Sequence, residues 1–230
     1  RQETHTRMNE SSQTSAPVET IALTRVRITF GKLETMRYVG NLDMHTVWER
    51  TLRRAALPLA YTKGFNPRPR FQIAASLPMG ATSRCEIIDV WLEQPPALEE
   101  IQARLQRSAP PGLLVVAVEE VPLQSPAMQT QLLAAEFEVT LLDAPPAGEL
   151  DRRITELRAA ETLPRQWRGK AYDLRPLVEE IERLAGEPPR LFLRLSAREG
   201  ATGRPEEVLS ALGLDQLSGR VQRTKLIFPL

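Results

Sequence analysis

The sequence predicts an α+β protein built from two ferredoxin-like halves, each with the element order β-α-β-β-α-β and an antiparallel sheet. Two observations lead to this prediction. Segments in which apolar and polar residues alternate, as in strands with one buried face, are separated by segments with apolar residues at helical spacing. The order of these segments in the first half also recurs in the second. With 230 residues, 42% of them hydrophobic, the chain can bury a substantial core.

The chain is expected to divide into three regions. The first is rich in Gln, Ser, Thr and Glu without periodicity, which predicts disorder, and the other two are the ferredoxin-like halves. The three regions are 1–22, 23–123 and 132–230. The polar segment 124–131 is the expected boundary between the halves. Because residue 1 is Arg, we expect a processed chain, a fragment of a longer protein, or a true start at Met8.

The first half opens with a strand in which Val26, Ile28 and Phe30 alternate with polar residues. An extended piece is expected at 35–39. The later elements are predicted strands at 71–77, 86–93 and 113–121 and a short amphipathic helix at 98–105.

Between the first two strands the sequence predicts a basic helix that Pro58 stops. Asn41 is expected to cap it. Its apolar positions follow helical spacing and are Met44, Val47, Trp48, Leu52 and Ala55. Its opposite side carries Arg50, Arg53 and Arg54. Glu49 is expected to pair with Arg53 one turn later.

The second half repeats this pattern. Strands are predicted at 137–141, 191–195 and 221–228, and helices at 149–160 and 205–212. Residues 173–185 are ambiguous, because Asp173 and the charge pattern favour a helix, whereas repetition of the first half requires a strand. We interpret this stretch as a strand paired across the turn at 186–189.

The charge distribution points to an anionic partner. The whole chain has a net charge of +1, but residues 25–84 contain eleven cationic side chains against three acidic ones. A segment with this excess of positive charge predicts a surface that attracts an anion.

The loop 57–71 concentrates these cations beside aromatic rings. Pro67 and Pro69 stiffen it, and Gly64 permits a turn with positive φ. We expect an RNA recognition loop in which cations contact phosphates while Tyr61 and Phe65 stack on bases or brace the loop. The candidate RNA-binding residues are Arg50, Arg53, Arg54, Tyr61, Lys63, Gly64, Phe65, Asn66, Arg68 and Arg70. The alternative is an ordinary connection with solvated arginines.

Few residues are suited to catalysis or to metal binding. The chain has two histidines, His5 and His45, and one cysteine, Cys85. A lone cysteine excludes an internal disulfide and a cysteine-held iron–sulfur cluster within the chain. We therefore expect no metal site and no cofactor in this chain. The absence of a long apolar run predicts that it does not span a membrane, and the cysteine usage predicts a cytoplasmic protein.

The spacing of the residues assigns no catalytic residue. The candidates are His45 and Lys63, as general base and phosphorane-stabilising cation of a metal-independent endoribonuclease. The alternative for His45 is a half-exposed helical histidine without a catalytic role.

Several motifs resemble the bacterial radical SAM-linked protein family. They are Asn-Leu-Asp (41–43), Trp-Glu-Arg-Thr-Leu-Arg-Arg-Ala (48–55), Leu-Pro-Leu-Ala-Tyr (57–61) and Gly-Phe-Asn-Pro-Arg-Pro (64–69). The similarity continues at 77–80, 172–176 and 204–209. The family usually has His and Arg where this chain has Asn41 and Thr46. If the histidine that the family has at position 41 is catalytic, this chain is an inactive member. If that histidine only caps the helix, Asn41 can do the same, and we favour this second interpretation.

The resemblance implies a family without an established activity, whose domains occur alone or joined behind a radical SAM domain. S-adenosylmethionine and an iron–sulfur cluster are thus expected only in a partner or in a further domain. The resemblance also implies ties to RNA processing, with tRNA or ribosomal RNA as the expected partner.

The sequence therefore favours a non-catalytic RNA-binding module that acts with a radical SAM or other RNA-modifying enzyme. Two alternatives remain open. One is the ferredoxin-like endoribonuclease with His45 and Lys63, and the other is a protein-binding adaptor whose basic surface docks an acidic partner.

Overall fold

The computed structural model describes residues 22–167, 169–214 and 219–229. The predicted disordered segment, with His5 and Met8, lies outside these residues except for Ala22. The described chain is a mixed α/β structure with a large, mostly antiparallel sheet. Its strands are β1 (Leu23–Lys32), β2 (Phe71–Ile73), β3 (Ala81–Glu93), β4 (Leu113–Val121), β5 (Ala134–Leu141), β6 (Pro164–Trp167), β7 (Lys170–Asp173), β8 (Val178–Leu184), β9 (Arg190–Arg198), β10 (Ala201–Thr202) and β11 (Gly219–Ile227). Its helices are α1 (Asn41–Arg54), α2 (Leu98–Ser108), α3 (Met128–Gln131), α4 (Ala147–Ala159) and α5 (Pro205–Ala211).

Nine strands form one sheet in the order β10-β9-β5-β11-β3-β1-β4, with β2 added beside β3 and β8 beside β9. The first half contributes the order β4-β1-β3-β2, and the second contributes β11-β5-β9-β8. Neighbours within each half are antiparallel. Strands β6 and β7 form a separate two-stranded hairpin that the sequence did not predict.

Each half has its own hydrophobic cluster. In the first, α1 and α2 pack on the sheet, and the rings of Phe30 and Trp48 meet edge to face at 4.9 Å. In the second, α4 and α5 pack on β5, β9 and β11 around buried leucines such as Leu150 and Leu193. Burial of the apolar positions of α1, including Trp48 and Leu52, confirms the helix predicted from their spacing.

One parallel pairing joins the halves. Residues Val221, Gln222 and Arg223 of β11 pair with the start of β3, so the two hydrophobic clusters lie on one continuous sheet. The division into domains at 23–123 and 132–230 stays a prediction.

Three local predictions are corrected. The strand at 71–77 is shorter and ends at Ile73, and residues 35–39 contain a 3-10 turn, Glu34–Met36, instead of an extended piece. Asn41 does not cap α1, because Gly40 is the N-cap residue and no side chain caps the helix. The ambiguous stretch 173–185 contains β8, which pairs with β9 and so confirms the strand interpretation for that part.

The expected boundary segment is fixed to the sheet. Arg25 donates hydrogen bonds to the carbonyl oxygens of Ser125 and Pro126, at 3.1 Å for Pro126, and Gln129 donates to the Ile73 carbonyl at 2.8 Å. The sheet face opposite the helices is thus covered where Arg25 lies.

Candidate nucleic-acid interface

The predicted recognition loop is a protruding hairpin. Tyr61 and Pro69 form a β-bridge, and the Thr62 N–H donates to the Arg68 carbonyl at 2.9 Å. The Arg68 N–H donates in return to the Thr62 hydroxyl at 3.1 Å. Gly64 has a φ of +141°. Residues other than glycine rarely adopt this conformation, because their Cβ clashes with the backbone. We call residues 62–68 the hairpin tip.

The base of this hairpin is anchored on β3. The Ala60 N–H donates to the Trp91 carbonyl at 2.9 Å, and the Trp91 N–H donates to the Arg70 carbonyl at 3.1 Å. Leu57 and Leu59 bury their side chains in the first core. The tip is therefore held at a fixed place beside the edge of the sheet.

The hairpin tip contacts little of the protein. The Phe65 side chain is fully exposed, and Tyr61 is 44% exposed. The other candidates on the tip, Lys63, Gly64, Asn66 and Arg68, are exposed as well. An exposed phenylalanine ring on an ordered hairpin offers a face on which a base can stack.

The C-terminal half of α1 extends this surface. Arg53 donates a hydrogen bond to the Tyr61 hydroxyl at 3.3 Å, and its guanidinium lies 5.6 Å from the centre of the Tyr61 ring. Arg53 also pairs with Glu49 at 3.1 Å, which confirms the predicted ion pair. Arg50 and Arg54 are exposed beside it. Helix and hairpin thus form one surface, which we call the α1–hairpin surface.

The cations of this surface are mostly free of acidic partners. Among the described residues, no carboxylate pairs with five of them, namely Arg50, Arg54, Lys63, Arg68 and Arg70. Arg70 lies over the buried Trp91 ring at 4.4 Å. The Trp91 ring therefore packs against the Arg70 guanidinium. It is too buried for an RNA base to stack on it.

The positive surface is smaller than the sequence predicts. Arg25 and Arg27 both pair with the buried carboxylate of Asp89, at 3.1 Å for the Arg25 Nε and 2.9 Å for the Arg27 Nε. Arg37 donates to the Gly80 carbonyl at 2.6 Å. Asp89 lies outside the 25–84 segment in sequence, but strand pairing places it opposite Arg27.

The two candidate catalytic residues lie on different elements. His45 is exposed on α1, with its ring 5.5 Å from that of Phe71 and tilted by 29°. Lys63 lies on the hairpin tip. Within the described residues they share no hydrogen bond, and His45 has no carboxylate to orient it.

Sequence reasoning missed a crevice at the N-terminus of α1. Lys32 lines it, is 2% exposed, and its ammonium has no hydrogen-bond partner among the described residues. Burial lowers the pKa of Lys32 from 10.5 to about 8, against the opposite effect of nearby Glu86. The available signal was its position two residues after Phe30, on the buried face of β1.

Two further features of the described residues concern a metal site and a membrane-spanning helix. No group of three or more His, Cys, Asp and Glu side chains there is arranged to hold a metal ion. None of the helices formed by these residues is long and apolar enough to cross a membrane.

A sequence model of the family described as "Uncharacterized protein conserved in bacteria" (DUF2344) matches residues 25–205. No curated protein matches the chain. A crystal structure of a Cbf5-Nop10-Gar1 complex is similar with a TM-score of 0.47 and 11% identity, over 87% of this chain and 48% of that chain. This chain therefore spans about half the length of that match. A crystal structure of an unknown protein from Galdieria sulphuraria gives a TM-score of 0.27 and 13% identity, over 91% of this chain and 100% of the other. Both TM-scores are too low to support an argument.

Proposed function

The chain belongs to the DUF2344 family of uncharacterized proteins conserved in bacteria, and we propose that it is a non-catalytic RNA-binding module. In this proposal it binds tRNA or ribosomal RNA and acts with a radical SAM or other RNA-modifying enzyme. Any S-adenosylmethionine or iron–sulfur cluster belongs to that enzyme. The link to radical SAM chemistry rests on the motif resemblance at 41–69.

The observation that carries the proposal is the α1–hairpin surface. It combines exposed guanidinium and ammonium groups without acidic partners with two exposed aromatic rings, those of Tyr61 and Phe65. Unpaired surface cations bind phosphates and release counterions on doing so. Exposed rings give a further contact with unpaired bases, whereas duplex bases are already stacked.

The shape of the surface favours single-stranded or looped RNA. The hairpin tip projects Phe65 away from the protein, and Arg53 holds Tyr61 at its base through a 3.3 Å hydrogen bond. A protruding ring can enter an RNA loop whose bases are splayed out, while the helix arginines contact the backbone beside it.

The strand order supports the two ferredoxin-like halves that the sequence predicts. Both halves have four antiparallel strands, in the orders β4-β1-β3-β2 and β11-β5-β9-β8. We infer two ferredoxin-like units, the second of which carries β6 and β7 as an insertion. RNA-binding modules of related architecture bind RNA on the sheet. Here the boundary segment 124–131 covers part of that face at Arg25, so we assign RNA binding to the α1–hairpin surface.

The test is binding of the purified chain to total cellular RNA at increasing salt, with sequencing of the retained RNA. The Arg68→Glu, Arg70→Glu double variant should lose most of the affinity, and its salt dependence should fall by about two counterions. A matched control is Arg107→Glu, Arg220→Glu, which makes the same charge change at two exposed arginines on other elements. This control should bind like the unmodified chain.

Equal, weak binding by all three proteins contradicts the proposal. RNA cleavage that is lost in His45→Ala replaces it with the endoribonuclease hypothesis. A stoichiometric protein complex that survives nuclease treatment replaces it with the adaptor hypothesis.

A further inference from the structure

The crevice at the N-terminus of α1 is small and has one polar end. It lies between the end of β1, the start of α1 and the segment that follows β2. Its lining is mainly apolar and includes Phe30, Met44, Ile73 and Leu77. Its volume of about 10 Å³ is near the lower limit for holding one water molecule or one oxygen atom of a ligand.

Lys32 supplies the positive charge of this crevice. It is the last residue of β1, and its buried ammonium has no hydrogen-bond partner among the described residues. A buried charged group without a partner is costly, so natural proteins rarely keep one without a ligand, a water molecule or a function.

The N-terminus of α1 lines the same crevice through Gly40, Asn41 and Met44. No side chain caps this helix, so the first-turn N–H groups of Asn41, Leu42 and Asp43 have no side-chain acceptor. The helix runs for 14 residues, and its dipole adds positive potential at this end. The uncapped helix start and a lysine with an unpartnered ammonium therefore line one crevice, and both kinds of group donate hydrogen bonds to oxyanions.

The charged side chains near Lys32 are bound to other groups, which leaves its ammonium free to bind an anion. Glu86 lines the crevice, but its carboxylate binds the Arg223 guanidinium, with 2.8 Å between Nε and Oε1. Arg37 is hydrogen-bonded to the Gly80 carbonyl. Asp43 lies near the opening, since its Oδ2 would be 3.6 Å from a Cβ placed on Gly40, which lines the crevice. It is exposed, and it opposes the binding of an anion.

We propose that this crevice binds one phosphate group. One phosphate oxygen enters the cavity and accepts a hydrogen bond from the Lys32 ammonium, and the other oxygens accept from the first-turn N–H groups of α1. The cavity volume suits a single oxygen and excludes entry of the whole group. The remaining oxygens stay at the opening, where the α1 N–H groups are.

The rim suggests that the phosphate belongs to an organic molecule. Leu42 and Met79 are 83% and 70% exposed, and both flank the start of α1. Exposed apolar side chains around a polar centre can cover the non-phosphate part of a ligand. The site lies at the opposite end of α1 from Arg53 and Arg54, so it does not depend on the α1–hairpin surface.

The experiment is a titration of the full chain with inorganic phosphate, followed by ³¹P NMR and calorimetry. Lys32→Met, which keeps the length of the side chain, should weaken binding about tenfold or more. Lys63→Met on the hairpin tip is the matched control and should leave phosphate binding unchanged. Asp43→Asn removes the opposing charge and should tighten binding roughly threefold.

Two further ligands identify the source of the phosphate. Adenosine 5′-monophosphate presents a terminal phosphate, whereas the dinucleotide ApA presents only a phosphodiester. Tighter binding of the monophosphate assigns the site to free phosphomonoesters or strand ends, and comparable binding of ApA assigns it to a strand backbone. Phosphate affinity that is equal in the unmodified chain, Lys32→Met and Asp43→Asn overturns the proposal and leaves Lys32 as a hydrated lysine.

Discussion

At the scale of single residues, Lys32 shows how strand periodicity can bury a charge. Side chains on β1 alternate between two faces, and Lys32 falls on the same face as Phe30. The side chain is buried among the apolar residues, it lines the crevice, and its ammonium has no hydrogen-bond partner among the described residues. Desolvation then lowers the pKa of this group to about 8.

The lowered pKa predicts a pH-dependent stability. Between about pH 8 and 10.5 the unfolded chain keeps the Lys32 proton that the folded chain has lost, so the free energy of unfolding should rise with pH across this window. The full effect is about 3 kcal/mol. Lys32→Met should therefore be the more stable protein at pH 7, and the difference should shrink towards pH 10.5. Urea unfolding at four pH values measures it, and parallel curves for the two proteins would contradict the assignment.

Cys85 is the single cysteine of the chain. Its thiol is partly buried, lies 3.3 Å from the Ser83 hydroxyl and donates to the Arg223 carbonyl at 3.5 Å. Burial raises the pKa of the Cys85 thiol, and the Ser83 hydrogen bond only partly offsets this. A thiol with a raised pKa is a poor nucleophile at neutral pH.

At the scale of elements, different parts of the hairpin contribute to stability and to the proposed binding. Its base is fixed by hydrogen bonds to β3, whereas its tip ends in a fully exposed Phe65. Substitutions at the tip should therefore change what the protein binds without changing how it folds.

Phe65→Ala tests this separation. The free energy of unfolding should change by less than about 0.5 kcal/mol, because the side chain buries no surface in the free protein. RNA affinity should fall about fivefold to a hundredfold if a base stacks on the ring. Urea unfolding and RNA binding on the same preparations measure both effects.

A control for Phe65→Ala is Leu142→Ala, which truncates a 59% exposed side chain in another loop. It should alter neither the stability nor the RNA affinity. Unchanged RNA affinity in Phe65→Ala would remove Phe65 from the proposed interface.

At the scale of the whole molecule, a buried ion pair lies where the two halves join. Arg223 comes from β11 in the second half and Glu86 from β3 in the first, and their side chains are 4% and 3% exposed. Arg223 also donates to the Ser76 carbonyl at 3.1 Å. This pair and the parallel pairing of β11 with β3 connect the halves across one sheet.

Removing one partner of the Arg223–Glu86 pair should lower the free energy of unfolding more than replacing both partners with apolar residues. Arg223→Met leaves the Glu86 carboxylate buried without its guanidinium and should lower the free energy of unfolding by about 3 kcal/mol. The double variant Arg223→Met, Glu86→Met removes both charges and should recover most of that loss. A double-mutant cycle by urea unfolding measures the coupling, and additive losses would show that the two side chains do not act as a pair.

Much of the first half was accessible from sequence because its signals are local. The spacing of Met44, Trp48 and Leu52 predicted α1, and these residues are buried. The prolines and glycine at 57–71 predicted a stiff turning segment, and it is a hairpin. The cap of α1 was predicted wrongly, because Asn41 and Gly40 are adjacent and only backbone geometry decides which one precedes the first helical turn.

The sequence by itself determined most of the elements, the basic α1 and the aromatic residues of the hairpin, since periodicity, turn residues and side-chain type are properties of neighbouring positions. Only the tertiary structure decided which cations remain available. Asp89 neutralises Arg25 and Arg27 although it is more than sixty residues away, and the chain fold places Lys32 beside the uncapped end of α1. The physical reason is that charge pairing and desolvation depend on distance in space, which strand register sets and sequence separation does not.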